Sequence, residues 1–144
     1  MFLSGLANRG AAPALVSTLA FNEARLNVIS ENLANSETPG YRTKRLDAAG
    51  FQRALRDALD TRGTDPNKPF VVDGGRDVRT AADGTLHVAP AEEPPENILF
   101  HDGTNMSVER QMAALAETRM MHELAVSLLN GYFEGLRTAI RGAQ

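Results

Sequence analysis

The chain has neither cysteine nor tryptophan among its 144 residues. The first absence excludes disulfides and thiolate metal ligands and leaves the redox compartment open. The second, with only two tyrosines and six phenylalanines, leaves leucine, valine, isoleucine, alanine and methionine to build the core, which are the materials of helix bundles. No run approaches the ~20 apolar residues of a membrane-spanning helix. Ala11 to Ala20 faintly resembles a signal-peptide core, but Ser17 and Thr18 interrupt it and its leucines belong to a helical stripe, so it is expected in the mature protein. The net charge of −3 and pI near 5.6, with no basic stripe beyond Arg42-Thr43-Lys44-Arg45, argue against a nucleic-acid partner.

Catalytic and metal-binding patterns are also missing. His122-Glu123 begins like a zinc-protease helix, but the position that needs the second histidine is Val126. His101-Asp102 would need further histidines, and only His87 and His122 remain, in segments of different character. There is no GxGxxG or GKS/T phosphate cradle, and Gly74-Gly75 reads as a turn. The expectation is a non-enzyme with no cofactor, no metal and no small-molecule substrate.

Proline and glycine are present but unevenly placed. Five of the seven prolines (Pro66, Pro69, Pro90, Pro94, Pro95) fall between Asp47 and Thr104, which excludes long helices from most of that stretch. Within it, Phe51 to Leu59 predicts a turn or two of amphipathic helix with Phe51, Leu55 and Leu59 on one face. Phe70-Val71-Val72 and Thr85-Leu86-His87-Val88 predict short strands joined by turns, and Ala91 to Glu96 is extended and acidic.

Two long periodic segments flank this middle. Leu15, Leu19, Asn22, Leu26, Ile29 and Leu33 recur at spacings of four and three, so a helix is predicted from about Pro13 to Asn35. Asn22 is a polar residue in the stripe, a type that fixes register at some cost in stability. Thr38-Pro39-Gly40-Tyr41 then fits a type II turn, with Asn35 expected to close the helix in the left-handed conformation. Near the other end Ser107 is a suitable N-cap. Val108, Met112, Leu115, Arg119, His122, Val126, Leu129, Phe133, Leu136 and Ile140 hold the same spacing almost to the C-terminus. Met121, Leu124, Ala125, Leu128 and Tyr132 add a second apolar stripe, more than one partner helix covers. Gly131 and Gly135 within this helix suggest close packing. Met1 to Ala12, with its glycines and Phe2, Leu3 and Leu6, reads as an arm that orders only against a partner.

The words around the turn are specific. Asn32-Leu33-Ala34-Asn35 followed by Thr38-Pro39-Gly40-Tyr41-Arg42, directly after a leucine-spaced helix, resembles the signature of the flagellar rod and hook axial proteins, and the chain length and uninterrupted Thr-Pro-Gly-Tyr look like a proximal rod member. Asp102-Gly103-Thr104-Asn105-Met106-Ser107-Val108-Glu109-Arg110-Gln111-Met112 is similar to the run that opens the last helix there, with Ser107 in place of an aspartate. The likeness covers both ends and not the middle. It implies a mainly α fold in which the N- and C-terminal helices pack as an antiparallel, coiled-coil-like pair around an irregular middle with short strands, divided as 1–46, 47–104 and 105–144. It implies a structural subunit of the proximal rod of the bacterial flagellum, in the periplasm, exported by the flagellar type III apparatus without a cleaved signal, and in contact with itself, other rod proteins and the base of the basal body. The site residues are then the motif positions Asn32, Asn35, Thr38, Pro39, Gly40 and Tyr41 and the seam Leu15, Leu19, Leu26, Ile29, Leu33, Val108, Met112, Leu115, Val126, Leu129, Phe133, Leu136 and Ile140. The alternative is a helical adaptor or regulator that binds an export or assembly partner through its C-terminal helix.

Overall fold

Two helices set the frame, α1 (Ala12–Ala34) and α3 (Val108–Gly142). They are seen in a computed structural model that describes residues 10–65, 67–75, 77–92 and 108–142. Pro13 lies in the first turn of α1, where the N–H it lacks has no intrahelical partner anyway. The helices run antiparallel along each other. Three contacts fix the register: Asn32 with Gln111, Arg25 with Glu117 (Nη2 to Oε2, 3.0 Å), and Gly10 beneath the ring of Tyr132. Because α3 is the longer, its last turns from Phe133 onward pass the start of α1.

Between them in the sequence comes a small α/β layer: β1 (Lys44–Arg45), α2 (Ala48–Arg62), β2 (Val78–Thr80), β3 (Leu86–Val88) and β4 (Ala91–Glu92). Four turns of α2 stand where a turn or two was predicted. Asp47 caps its start by accepting from the Gly50 N–H at 2.9 Å, and Gly63, at φ +55°, closes it by donating to the Leu59 carbonyl. Its buried face is Phe51, Ala54 and Ala58, and Leu59 is exposed. Alanines on the inner face escaped a reading weighted to large apolar residues.

Strand β2 pairs antiparallel with β3, Val78 opposite Val88 and Thr80 opposite Leu86. The predicted strand at Phe70 to Val72 is joined to β2 by an isolated bridge between Asp73 and Arg79, with the Thr80 N–H donating to the Val72 carbonyl at 3.0 Å. Val78-Arg79-Thr80, with two of three residues polar, carried too little pattern to be seen. Strand β1 pairs with β4, Lys44 opposite Glu92, which ties the chain after the turn to the end of the middle segment. Glu93 to Glu96, the Ser107 cap, the His101-Asp102 pair and residues 1–9 of the predicted arm lie outside the described residues.

One hydrophobic core joins α1 to this layer: Phe21 and Val28 of α1 with Leu46, Phe51, Ala54, Ala58, Val72 and Val78. The rings of Phe21 and Phe51 stack at 4.1 Å between centroids and 2° between planes. α1 is therefore two-sided, one face packed on the layer and the leucine stripe turned to α3. Among the described residues no helix is long and apolar enough to cross a membrane.

Candidate assembly surface and its motif hub

The motif turn is organised by one buried side chain. Asn32, 1% exposed near the end of α1, uses both ends of its amide. Its Nδ2 donates to the Lys44 carbonyl at 2.7 Å and to Gln111 Oε1 at 3.3 Å. Its Oδ1 accepts from the Lys44 N–H at 3.0 Å and the Tyr41 hydroxyl at 3.1 Å. Asparagine is the residue that both donates and accepts from a short stem, so one side chain clamps the strand leaving the turn, the turn's tyrosine and the C-terminal helix.

Around this hub the motif residues take distinct roles. Asn35 closes α1, its N–H donating to the Glu31 carbonyl at 3.1 Å and its Nδ2 to the same oxygen at 2.9 Å. Its φ is −102°, so the expected left-handed closure is not what occurs. The side chain instead gives the Glu31 carbonyl a second donor, while the Asn35 and Ser36 N–H groups reach the Asn32 and Leu33 carbonyls, each at 3.2 Å. Thr38 to Tyr41 forms the turn expected, the Tyr41 N–H donating to the Thr38 carbonyl at 3.1 Å and Gly40 holding φ +76°. Pro39 and Gly40 are exposed at its tip, while Tyr41 is half-buried. Partial burial raises the Tyr41 pKa, helped by the Glu31 carboxylate and opposed by Lys44. Lys44 forms an ion pair with Glu31, and that bond raises its pKa.

The helix seam differs from the spacing first drawn. Along α3 the residues turned inward are Gln111, Leu115, Thr118, His122, Ala125, Leu129, Tyr132 and Leu136, with Thr118 at 0% exposure. Leu115, His122, Leu129 and Leu136 were anticipated. The alternate positions fall one residue earlier than Met112, Arg119, Val126 and Phe133. At two of these positions the reason is size: Thr118 and Ala125, both buried, admit the close approach of α1, and small residues carry little hydrophobic signal. On α1 the stripe holds, with Ile29 buried and Leu15, Leu19, Leu26 and Leu33 half-buried. Asn22 is buried in the seam, and its Nδ2 and the Nδ1 of His122 have no hydrogen-bond partner among the described residues. Gly131 and Gly135 have nothing within 4 Å of a hypothetical Cβ, so close packing against described residues does not explain them.

Two apolar flanks of α3 are left outside the seam. Val108, Met112, Val126, Phe133 and Ile140 line one, all exposed, from 36% at Phe133 to 58% at Ile140. Met121, Leu124 and Leu128 line the other and are equally open. Apolar arcs of this extent on one helix are candidates for association. No group of three or more potential metal ligands occurs among the described residues.

Comparison with known proteins bears on both parts of this surface. A family model described as "Flagella basal body rod protein" matches residues 14–42, which run through α1 and the Asn32 hub to the turn. Proteins named flagellar basal body rod protein FlgB align over most of the chain. The one from Bacillus subtilis (strain 168) is 23% identical over 130 residues, covering 90% of this chain and 92% of its own. The one from Cereibacter sphaeroides (strain ATCC 17029 / ATH 2.4.9) is 29% identical over 124 residues, 86% and 88%. That from Escherichia coli (strain K12) is 24% identical over 143 residues, 88% and 95%.

Proposed function

We propose that the chain, which is similar to flagellar basal body rod proteins in the family model at residues 14–42 and over most of its length at 23% and 29% identity, is a subunit of the proximal rod that assembles through its terminal helices into a tubular structure. The observation that carries this reading is the arrangement of α3. One seam is occupied by α1, and two apolar flanks remain open on either side of it. A subunit with two such flanks meets two neighbours, and head-to-tail contacts of that kind close into rings or continue as helical tubes. The partners are then further copies of this chain, the other rod proteins and the base of the basal body. The hub at Asn32 ties the turn to both helices.

Delivery to the periplasmic rod follows through the flagellar type III exporter, without a cleaved signal. The test is complementation of a deletion strain with Met121→Asp/Leu128→Asp, two exposed positions whose substitution leaves the intramolecular core intact. The double variant is expected to be secreted and yet to leave basal bodies without a rod by electron microscopy. Complete rods from this variant would overturn the assembly reading. Intact rods in the deletion strain itself would favour the adaptor.

A further inference from the structure

Asn130 and Gly131 form the one Asn-Gly dipeptide of the chain, and they stand inside α3. Both are weak helix formers, glycine the weakest after proline. No contact with the described residues explains them. Asn130 is exposed and no described residue holds its amide, while a Cβ on Gly131 or Gly135 would meet open space. The dipeptide sits where α1 begins and its cover of α3 ends, beside the Gly10 contact with Tyr132. An open groove of about 550 Å³, lined in part by Ser127, Asn130, Gly131 and Glu134, brings water to it.

We propose that Asn130-Gly131 is a site of spontaneous deamidation, and that the reaction times how long a free subunit stays fit to assemble. The second half rests on the assembly reading and the first does not. The Gly131 nitrogen, its proton taken by hydroxide, attacks Cγ of Asn130. The bond from Cγ to Nδ2 breaks, and ammonia leaves with a proton from water. The cyclic imide then opens by adding water, to aspartate or to isoaspartate, so that one water is consumed and one ammonia released. Glycine permits the ring closure because no side chain crowds the attacking nitrogen. In the closed helix the Gly131 N–H is paired four residues back and the helical ψ of Asn130 turns Cγ away, so the turn must open first. The two glycines and the end of the α1 cover lower the cost of that opening. Asn35, which precedes the small Ser36, is the contrast: its Nδ2 donates to the Glu31 carbonyl at 2.9 Å and its Oδ1 accepts from the Thr38 hydroxyl at 3.4 Å, which holds the amide in place. Isoaspartate adds one atom to the backbone, so Phe133 and Ile140 lose their phase along the α3 flank. Neighbours packed on the flanks keep the turn closed, and incorporated chains are spared.

The experiment incubates the full chain as a dilute monomer at mildly alkaline pH and follows each asparagine by peptide mass spectrometry. Isoaspartate is expected at position 130 before any other asparagine reacts, and at least about tenfold faster in urea, where no helix has to open. Gly135→Ala leaves the reacting pair unchanged, yet should slow the reaction about fivefold, the ratio that glycine and alanine helix propensities give. Basal bodies isolated from cells should carry intact Asn130, while unassembled chains from the same culture carry the modified form. Asn35 reacting first, a rate unaltered by Gly135→Ala, or equal modification in the rod and the free pool would overturn the proposal. Basal bodies without this chain would overturn the assembly reading and the timing with it, and the monomer rates, measured on wild-type protein, decide the deamidation site by themselves.

Discussion

Asn32 is the residue on which the motif depends, and its removal should cost more than any other polar truncation in the chain. Asn32→Ala breaks the bonds to the Lys44 N–H and carbonyl, to Tyr41 and to Gln111. A backbone pair left unsatisfied in a buried site costs about 1 to 3 kcal/mol. A loss of at least about 2 kcal/mol by urea denaturation is expected, and one under about 0.5 would show that water replaces the amide. Gly40 and Gly84 form a contrasting pair. Both hold positive φ, +76° and +85°, and neither has an atom within 4 Å of a hypothetical Cβ. Alanine should therefore cost each about 1 kcal/mol through backbone strain alone. If the turn matters to assembly through its shape, soft-agar motility should fall for Gly40→Ala and not for Gly84→Ala, despite equal losses of stability. Asp83 offers a pH readout: the Thr85 hydroxyl (2.6 Å) and then its N–H (2.9 Å) hold the carboxyl below its ordinary value. A depressed folded pKa gives stability that is present above the ordinary carboxylate pKa and lost as pH falls through the lowered value. Thr85→Ala should move the Asp83 titration upward in an NMR titration, and an unmoved midpoint would assign the shift to other groups.

At the scale of the helices, seam and flank make opposite demands on substitution. Leu129 is half-buried in the seam, and its truncation to alanine should destabilise the isolated chain by about 2 kcal/mol. Phe133 is 36% exposed, so Phe133→Ala should cost the isolated chain well under that and still impair rod formation. Equal thermal losses for the two would remove the distinction between seam and flank. Asn22 runs the other way. Its buried Nδ2 is unpartnered among the described residues, so Asn22→Leu should stabilise the helix pair by about 1 kcal/mol, as the price of register that a polar seam residue exacts.

Across the whole molecule the shared core predicts a gradient of protection before assembly. α1 is packed on both sides, by the layer and by α3, whereas the turns of α3 beyond Phe133 pass the start of α1. Hydrogen exchange on dilute monomer should show α1 from Phe21 to Ile29 among the slowest amides and Phe133 to Gly142 among the fastest. The ends ordering only on assembly, as disordered segments do when they fold on binding, would instead appear as fast exchange in both. Strong protection of Phe133 to Gly142 in a verified monomer would sink both readings.

The sequence by itself determined what is local and periodic: the span of α1, its leucine stripe, the type II turn at Pro39-Gly40, the existence of a C-terminal helix, and the family words that run from one to the other. Four-three spacing and a proline–glycine pair act over a few residues, so they are legible without neighbours. Tertiary structure decided the rest. The seam of α3 moved by one residue at alternate positions because Thr118 and Ala125 fit against α1 where Arg119 and Val126 would not. α2 ran to four turns because its alanines found Phe21, Val72 and Val78 to pack on. Val78 to Thr80 became a strand only because Val72 and Val88 lie on either side of it, and the hub at Asn32 exists only because residues 41, 44 and 111 converge on one amide. Each of these is a choice between residues of similar local propensity, made by what they touch.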